Sequence, residues 1–230
     1  MNVSIKRFKA IVRRYRAKNM RSSRPSFSEC GEDLIIMTLM DMMQLRDWTF
    51  VDLGANHPIR SNNFYLHFLC NKASGINIEP NPNMFKYLMK GRKRDVNISA
   101  AVTAGTGKGE IGFFLNENNL ISSLAPNTKS VQIKVKTFST VELALITKKF
   151  SIPWVLGIDI EGSDFQILFD LVRLGIEPDL IVLETFQGIQ GINPRIESMN
   201  TFLTADYALV AMTPLNNFYA RKSSWIFERA

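Results

Sequence analysis

The chain has 230 residues, 46% of them hydrophobic and 21% charged, with a formal net charge of +7. That length suits one α/β domain, since a single core runs to roughly 250 residues before it splits, and no uninterrupted apolar run approaches the ~20 residues of a membrane span. The charge is uneven: nine of the 28 Lys and Arg precede Pro25 with no acid among them, which leaves 19 against 21 acids, so the body carries −2 and is not itself a nucleic-acid surface.

Residues 1–25 form a basic arm. Ile5, Phe8, Ile11, Val12 and Tyr15 recur at helical spacing, with Lys and Arg around the rest. Two uses stay open for such a helix. One is packing on the domain or on a second copy, which would make a homodimer. The other is peripheral contact of residues 1–24 with an anionic membrane surface. A nucleic-acid partner is not expected, because aromatic interleaving and known motifs are missing. The arm lacks the apolar core of a secretory signal, though its acid-poor, arginine-rich make-up is shared with transit peptides. "RSSRPS" at 21–26 has no periodic apolar face and separates the arm from a single domain over 26–230.

In the domain, Glu29, Glu32 and Asp33 precede an apolar periodic run, which predicts a helix near 30–45. "WTFVDLG" (48–54) reads as a strand and "SNNFYLHFLCNK" (61–72) as a helix capped by Ser61 or Asn62. "GINIE" (75–79) is a strand, "PNMFKYLMKGR" (82–92) a helix with Pro82 in its first turn, and "VNISAAV" (96–102) a strand. A short strand near 110–115 and a half-exposed one at 131–137 flank the polar loop "NENNLISSLAPN". "STVELALITKK" (139–149) is a helix capped by Ser139 or Thr140, with Glu142 placed for a capping box. "WVLGIDIEG" (154–162) and "PDLIVLE" are buried strands around a helix that ends at Gly175. A further helix in "NPRIESMNTFLTA" leads to a closing antiparallel pair.

This alternation predicts a doubly wound, mostly parallel sheet with helices on both faces. Ligands of such sheets sit at the carboxyl ends of the strands. Asp52, Gly54, Glu79, Asp159 and Glu161 all fall there, and acids at that edge are costly to bury without a purpose. Gly54 admits close approach of a ligand. Glu79, 27 residues after Asp52, suits both hydroxyls of a ribose, much as the acid ~20 residues on does in dinucleotide folds.

Gly54 is followed by Ala55-Asn56-His57-Pro58, so the G-x-G-x-x-G of a nicotinamide site is missing, and an acid beside a pyrophosphate is unfavourable. S-adenosyl-L-methionine, with a sulfonium, an ammonium and a ribose but no phosphate, matches these charges. Cys30 and Cys70 have no metal-like spacing; buried or half-buried free thiols in a reducing, cytoplasmic compartment are expected. His57 and His67 are too few for a histidine zinc site. Asp159, Glu161 and Glu184 offer hard-cation ligands, but their spacing does not establish convergence, and no metal is expected.

"FVDLGANHPIRSNNFYLHF", "GINIEPNPNMF", "ISAAV" and "LGIDIEGSDFQIL", with "SFSECGEDLII" ahead of them, resemble the FkbM-type S-adenosylmethionine-dependent methyltransferases over about residues 26–190. The resemblance implies a class I methyltransferase (Rossmann-like) fold, a seven-stranded sheet with an antiparallel last strand. It also implies O-methylation of a hydroxyl on a sugar, glycan or other small-molecule acceptor. Carried over, Asp52, Gly54, Ala55 and Asn56 line the methionine end of the cofactor and Glu79 with Pro80 holds the ribose. Ala100 and Ala101 bound the adenine, and Ser61 and Asn62 open the helix beneath it. Pro58 departs from the glycine many methyltransferases carry there.

For catalysis, Glu161 is expected to face the acceptor and Asp159 the sulfonium, with His57 a rival base or a turn residue bonded to backbone. Asn118, Asn119, Ser122 and Ser123 offer a polyol-binding loop, or a solvated surface one. A scaffold protein that kept the fold and lost catalysis is the alternative.

Overall fold

A computed structural model describes residues 24–70, 72–107, 109–116, 130–160, 162–186 and 195–224. The elements run α1 (Glu32–Met42), β1 (Trp48–Leu53), α2 (Tyr65–Leu69), β2 (Ala73–Ile78), α3 (Pro82–Gly91), β3 (Val96–Ile98) and β4 (Ala101–Thr103). They continue through β5 (Glu110–Asn116), β6 (Ser130–Ser139), α4 (Thr140–Thr147), β7 (Trp154–Ile158), α5 (Asp164–Arg173) and β8 (Leu180–Glu184). The chain closes with α6 (Ile196–Leu203), β9 (Tyr207–Met212) and β10 (Asn216–Arg221).

Seven strands form the main sheet in the order β3-β2-β1-β7-β8-β10-β9. β1 lies parallel to β2 and β7, and β8 parallel to β7, while β10 runs antiparallel between β8 and β9. The order reverses between β1 and β7, so the ligand edge expected of a doubly wound sheet lies at their carboxyl ends. The seven strands and the antiparallel last strand are as the sequence resemblance implies.

The central strands are apolar at nearly every position because both faces are covered. Val51, Leu53, Leu156, Ile158, Ile181 and Leu183 point into one core with α4, α5 and α6. Trp48, Phe50, Val155, Leu180 and Val182 point into the other with α1 and Phe64. Each such side chain, fully buried, contributes roughly 1.5–3 kcal/mol. Local signals act as expected in two helices. Asn81 caps α3 ahead of Pro82, and Ser139 forms the full capping box with Glu142.

Four expectations need correction. The run 96–102 is not one strand: it breaks at Ser99–Ala100, and β4 leaves the main sheet to join β6 and β5 in a second, three-stranded sheet. The helix expected over 61–72 is only α2, its N-cap is Phe64, and neither Ser61 nor Asn62 caps it. β7 ends at Ile158, so Asp159 lies past the strand. Cys30 and Cys70 are free thiols but exposed, one in the bend before α1 and the other closing α2.

The arm through residue 23, Glu161 and the loop residues 117–129, including Asn118, Asn119, Ser122 and Ser123, lie outside the described residues. Among the described residues no helix is long and apolar enough to cross a membrane.

Candidate functional site

The site grows from the turn after β1. Gly54 has φ +83, and its N–H donates to Ile78 O of β2 at 3.0 Å. On its other side, an added Cβ would lie 1.8 Å from the carbonyl oxygen of Asp159. Asp159 returns the contact by donating its N–H to Leu53 O. What requires glycine here is therefore the turn after β7, not only an approaching ligand. The carboxyl ends of β1, β2 and β7 are locked together at this residue.

Asp52 lies on the α1 face of the sheet, level with Asn77 on β2 and Gly157 on β7. It is buried, and no hydrogen-bond donor reaches its carboxyl among the described residues. Burial pushes its pKa up to about 7; the Arg92 charge opposes that rise, and Glu79 and Asp95 add to it.

Glu79 follows β2 and is equally buried, but fully engaged. One carboxyl oxygen accepts the Asn56 N–H at 2.7 Å and the other the Asn81 N–H at 2.7 Å. Burial again dominates and lifts it to about 7, against those two hydrogen bonds. Glu79 thus ties the first turn to the second, and the second lone pair of each oxygen can still face a ribose. Pro80 stands between its two duties, half-buried.

Ala55 and Asn56 complete the turn. Asn56 sits at φ +46, and its Oδ1 is buried without a partner among the described residues. His57 is used by the turn itself: Nδ1 accepts from Ile59 N and Arg60 N, both at 3.1 Å. With that lone pair taken, the neutral ring carries its proton on Nε2 and has no basic nitrogen to offer. Burial and Arg60 also lower its pKa. His57 is thus hydrogen-bonded to the backbone of its own turn.

Asn62 is buried and saturated. Its Nδ2 donates to Ala55 O and His57 O, and its Oδ1 accepts from Phe64 N and Arg92 Nη1. It shapes the loop from below, while Ser61, at φ +50, is exposed. Pro58 fits because Gly91 leaves space beneath it: an added Cβ there would come within 3.0 Å of the ring. Ala100 packs in the larger core and Ala101 in that of the small sheet, both buried.

Asp159 is exposed at the lip, beside Gly54. The turn that carries it is organised by Asp164, which accepts Ile160 N at 2.8 Å and Gly162 N at 3.0 Å. Asp164, Asn77, Arg92 and Asp95 are site-building residues the sequence reading missed. Asn77 was the visible signal, a polar residue inside a buried strand. Arg92 and Asp95, three residues apart, read as ordinary surface charges and are instead a fully buried ion pair at 2.6 Å.

Comparison with curated proteins finds no match. Among solved structures, the chain is similar to a TehB-like SAM-dependent methyltransferase from Corynebacterium glutamicum, at 8% identity and TM-score 0.42 over 95% of this chain and 100% of that one. It is also similar to the human methyltransferase 10 domain containing protein, at 9% and 0.45 over 94% and 95%. A third is the N-terminal domain of human METTL16 in complex with SAH, at 10% and 0.43 over 89% and 74%. The assignment rests instead on the family match, which spans residues 52–209 and so more than half of the chain, from the first site acid into β9. The chain belongs to the methyltransferase FkbM domain family.

Proposed function

We propose that this S-adenosylmethionine-dependent methyltransferase acts on a hydroxyl oxygen of a sugar, glycan or other small-molecule acceptor. The residues present fit the cofactor. Among the described residues Asn56 Oδ1 is a buried acceptor without a partner and Asp52 a buried carboxyl that no donor reaches, which suits a cationic ligand that brings N–H groups. Asp52, Gly54, Ala55 and Asn56 would hold its methionine end, and Glu79 its ribose. When bound, S-adenosylmethionine supplies an electrophilic methyl group on a sulfonium.

The protein's part is alignment and removal of a proton. Methylating a hydroxyl forms an O–C bond, breaks an S–C bond and releases the hydroxyl proton, which must pass to a base. The observation that supports a hydroxyl acceptor is the carboxyl at the lip: Asp159 is exposed, and its backbone is pinned against Gly54 between β1 and β7. Asp159 and Glu161 are the proposed carboxylates for this duty.

The test incubates the protein with methyl-labelled S-adenosylmethionine and a panel of sugars, polyols and amines, and locates the label by mass spectrometry. Label on a hydroxyl oxygen, lost in Asp159→Asn or Glu161→Gln, supports the reading. Label only on nitrogen sinks the hydroxyl assignment and leaves the methyltransferase. We further propose that residues 1–24 bring the enzyme to an anionic membrane, where lipid-linked or surface glycans are met.

A further inference from the structure

We infer that Arg92 is a positioning residue of the donor site, acting through Asn62 on the Ala55–His57 turn. The inference rests on the donor-site reading above. The guanidinium is fully buried, an arrangement that is costly unless partners surround it. Nε donates to Asp95 Oδ2 at 2.6 Å, and the cation lies 5.4 Å from the Phe50 ring centroid and 4.9 Å from that of Phe68. Nη2 is buried without a partner among the described residues.

The remaining contacts reach the site. Nη1 donates to Asn62 Oδ1 at 3.0 Å, and Asn62 Nδ2 donates onward to Ala55 O at 3.1 Å and His57 O at 3.3 Å. The two carbonyls on either side of Asn56 are therefore pinned by a side chain that Arg92 holds. Gly91 abuts Pro58 of the same loop, so the end of α3 braces the turn by packing as well. The second link is charge. Arg92 favours the ionised form of Asp52, while the charges of Glu79 and Asp95 oppose it. Among the described residues the charge of Arg92 also acts on Tyr65 and His67 of α2.

Calorimetric titration of the full chain with S-adenosylmethionine, from about pH 5 to about pH 9, separates these links. Asn62→Ala removes the brace and keeps the charge. It is expected to weaken binding about tenfold, the scale of one hydrogen bond to a charged group, with the pH midpoint unchanged. Arg92→Lys keeps the charge and loses the fork, so it should follow Asn62→Ala, and the double variant should be no weaker than either single one. Arg92→Met should weaken binding and move the midpoint upward.

Wild-type affinity in folded Arg92→Lys, or additive losses in the double variant, would overturn the inference. If Arg92→Met does not fold, the Lys and Asn62 variants decide. A wild-type protein that binds neither S-adenosylmethionine nor S-adenosylhomocysteine defeats the donor-site reading itself, an outcome distinct from unaffected variants of a binding protein.

Discussion

Asp52 and Glu79 are both lifted by burial to about 7, yet their substitutions should act in opposite directions. A carboxyl whose folded pKa lies above its unfolded value contributes full stability below the unfolded pKa, near 4, and loses it as pH rises toward 7. In that window the unfolded chain has released the proton and the native protein retains it. The cost is about 1.4 kcal/mol per pH unit, so over a window of about three units Asp52 alone costs on the order of 4 kcal/mol at neutral pH. Asp52→Asn removes an ionisable group that no donor reaches among the described residues, and it should raise stability at pH 8 by up to about 4 kcal/mol, with the gain vanishing near pH 4. Urea denaturation at the two pH values checks this. The same variant should bind S-adenosylmethionine poorly, since it gives up the charge that meets the ligand. Glu79→Gln exchanges one of two acceptors for an amide that confronts the N–H of Asn56 or Asn81. It should lose stability, by about 1–3 kcal/mol. A destabilised Asp52→Asn at pH 8 would show that its carboxyl has a native partner.

At the scale of elements, the turns carry more of the site than the helices do. Gly54→Ala places a methyl group against the Asp159 carbonyl at positive φ, so the ends of β1 and β7 must part. Gly175→Ala, at φ +72 after α5, meets nothing within 4 Å and bears only the left-handed strain of about 1–2 kcal/mol. Thermal denaturation should therefore find Gly54→Ala well below Gly175→Ala, and only the first should abolish donor binding. Equal losses would mean that the two turns yield independently.

What the sequence showed and hid follows the same division. The Ser139 capping box was legible because its partners lie three residues apart, and the central strands because an apolar run covered on both faces needs no partner to be recognised. The break at Ser99–Ala100 was not, because it follows from β4 pairing with β6, more than thirty residues on. Asn62 was mistaken for a helix cap because its true partner, Arg92, is thirty residues away. Asp52 and Glu79 were visible by position, but only contacts distinguish Asp52, which no donor reaches among the described residues, from Glu79, whose two oxygens each accept a backbone N–H.

For the whole molecule, the family match begins at residue 52, but the folded unit begins earlier. Asp33 gathers Ser26 Oγ, Phe27 N and Ser28 Oγ within 3.0 Å, and Phe27 O accepts the Asn62 N–H at 3.1 Å. Glu32 accepts Thr213 Oγ1 at 2.7 Å, so one short segment joins the donor loop to the turn between β9 and β10. Behind it, Ile36, Leu39 and Met40 of α1, with Met43, fill the core against Phe50 and Phe218. Four such side chains represent roughly 6–12 kcal/mol of burial, comparable with the whole stability of a domain, about 5–15 kcal/mol.

A chain shortened to begin at residue 46 should therefore fail to fold although it holds every family-matched residue. One that begins at residue 25 should keep the melting temperature and donor affinity of the full chain. That second truncation also isolates the arm. It removes nine positive charges and leaves a body near neutrality. If residues 1–24 meet the membrane, the full chain should sediment with vesicles of anionic lipid and be released by salt, because exposed charges are screened within about 10 Å at 0.1 M. The chain from residue 25 should stay in the supernatant at any salt. Sedimentation of both chains alike would assign lipid contact to the folded body, and sedimentation of neither would leave the arm for packing on the domain or on a second copy.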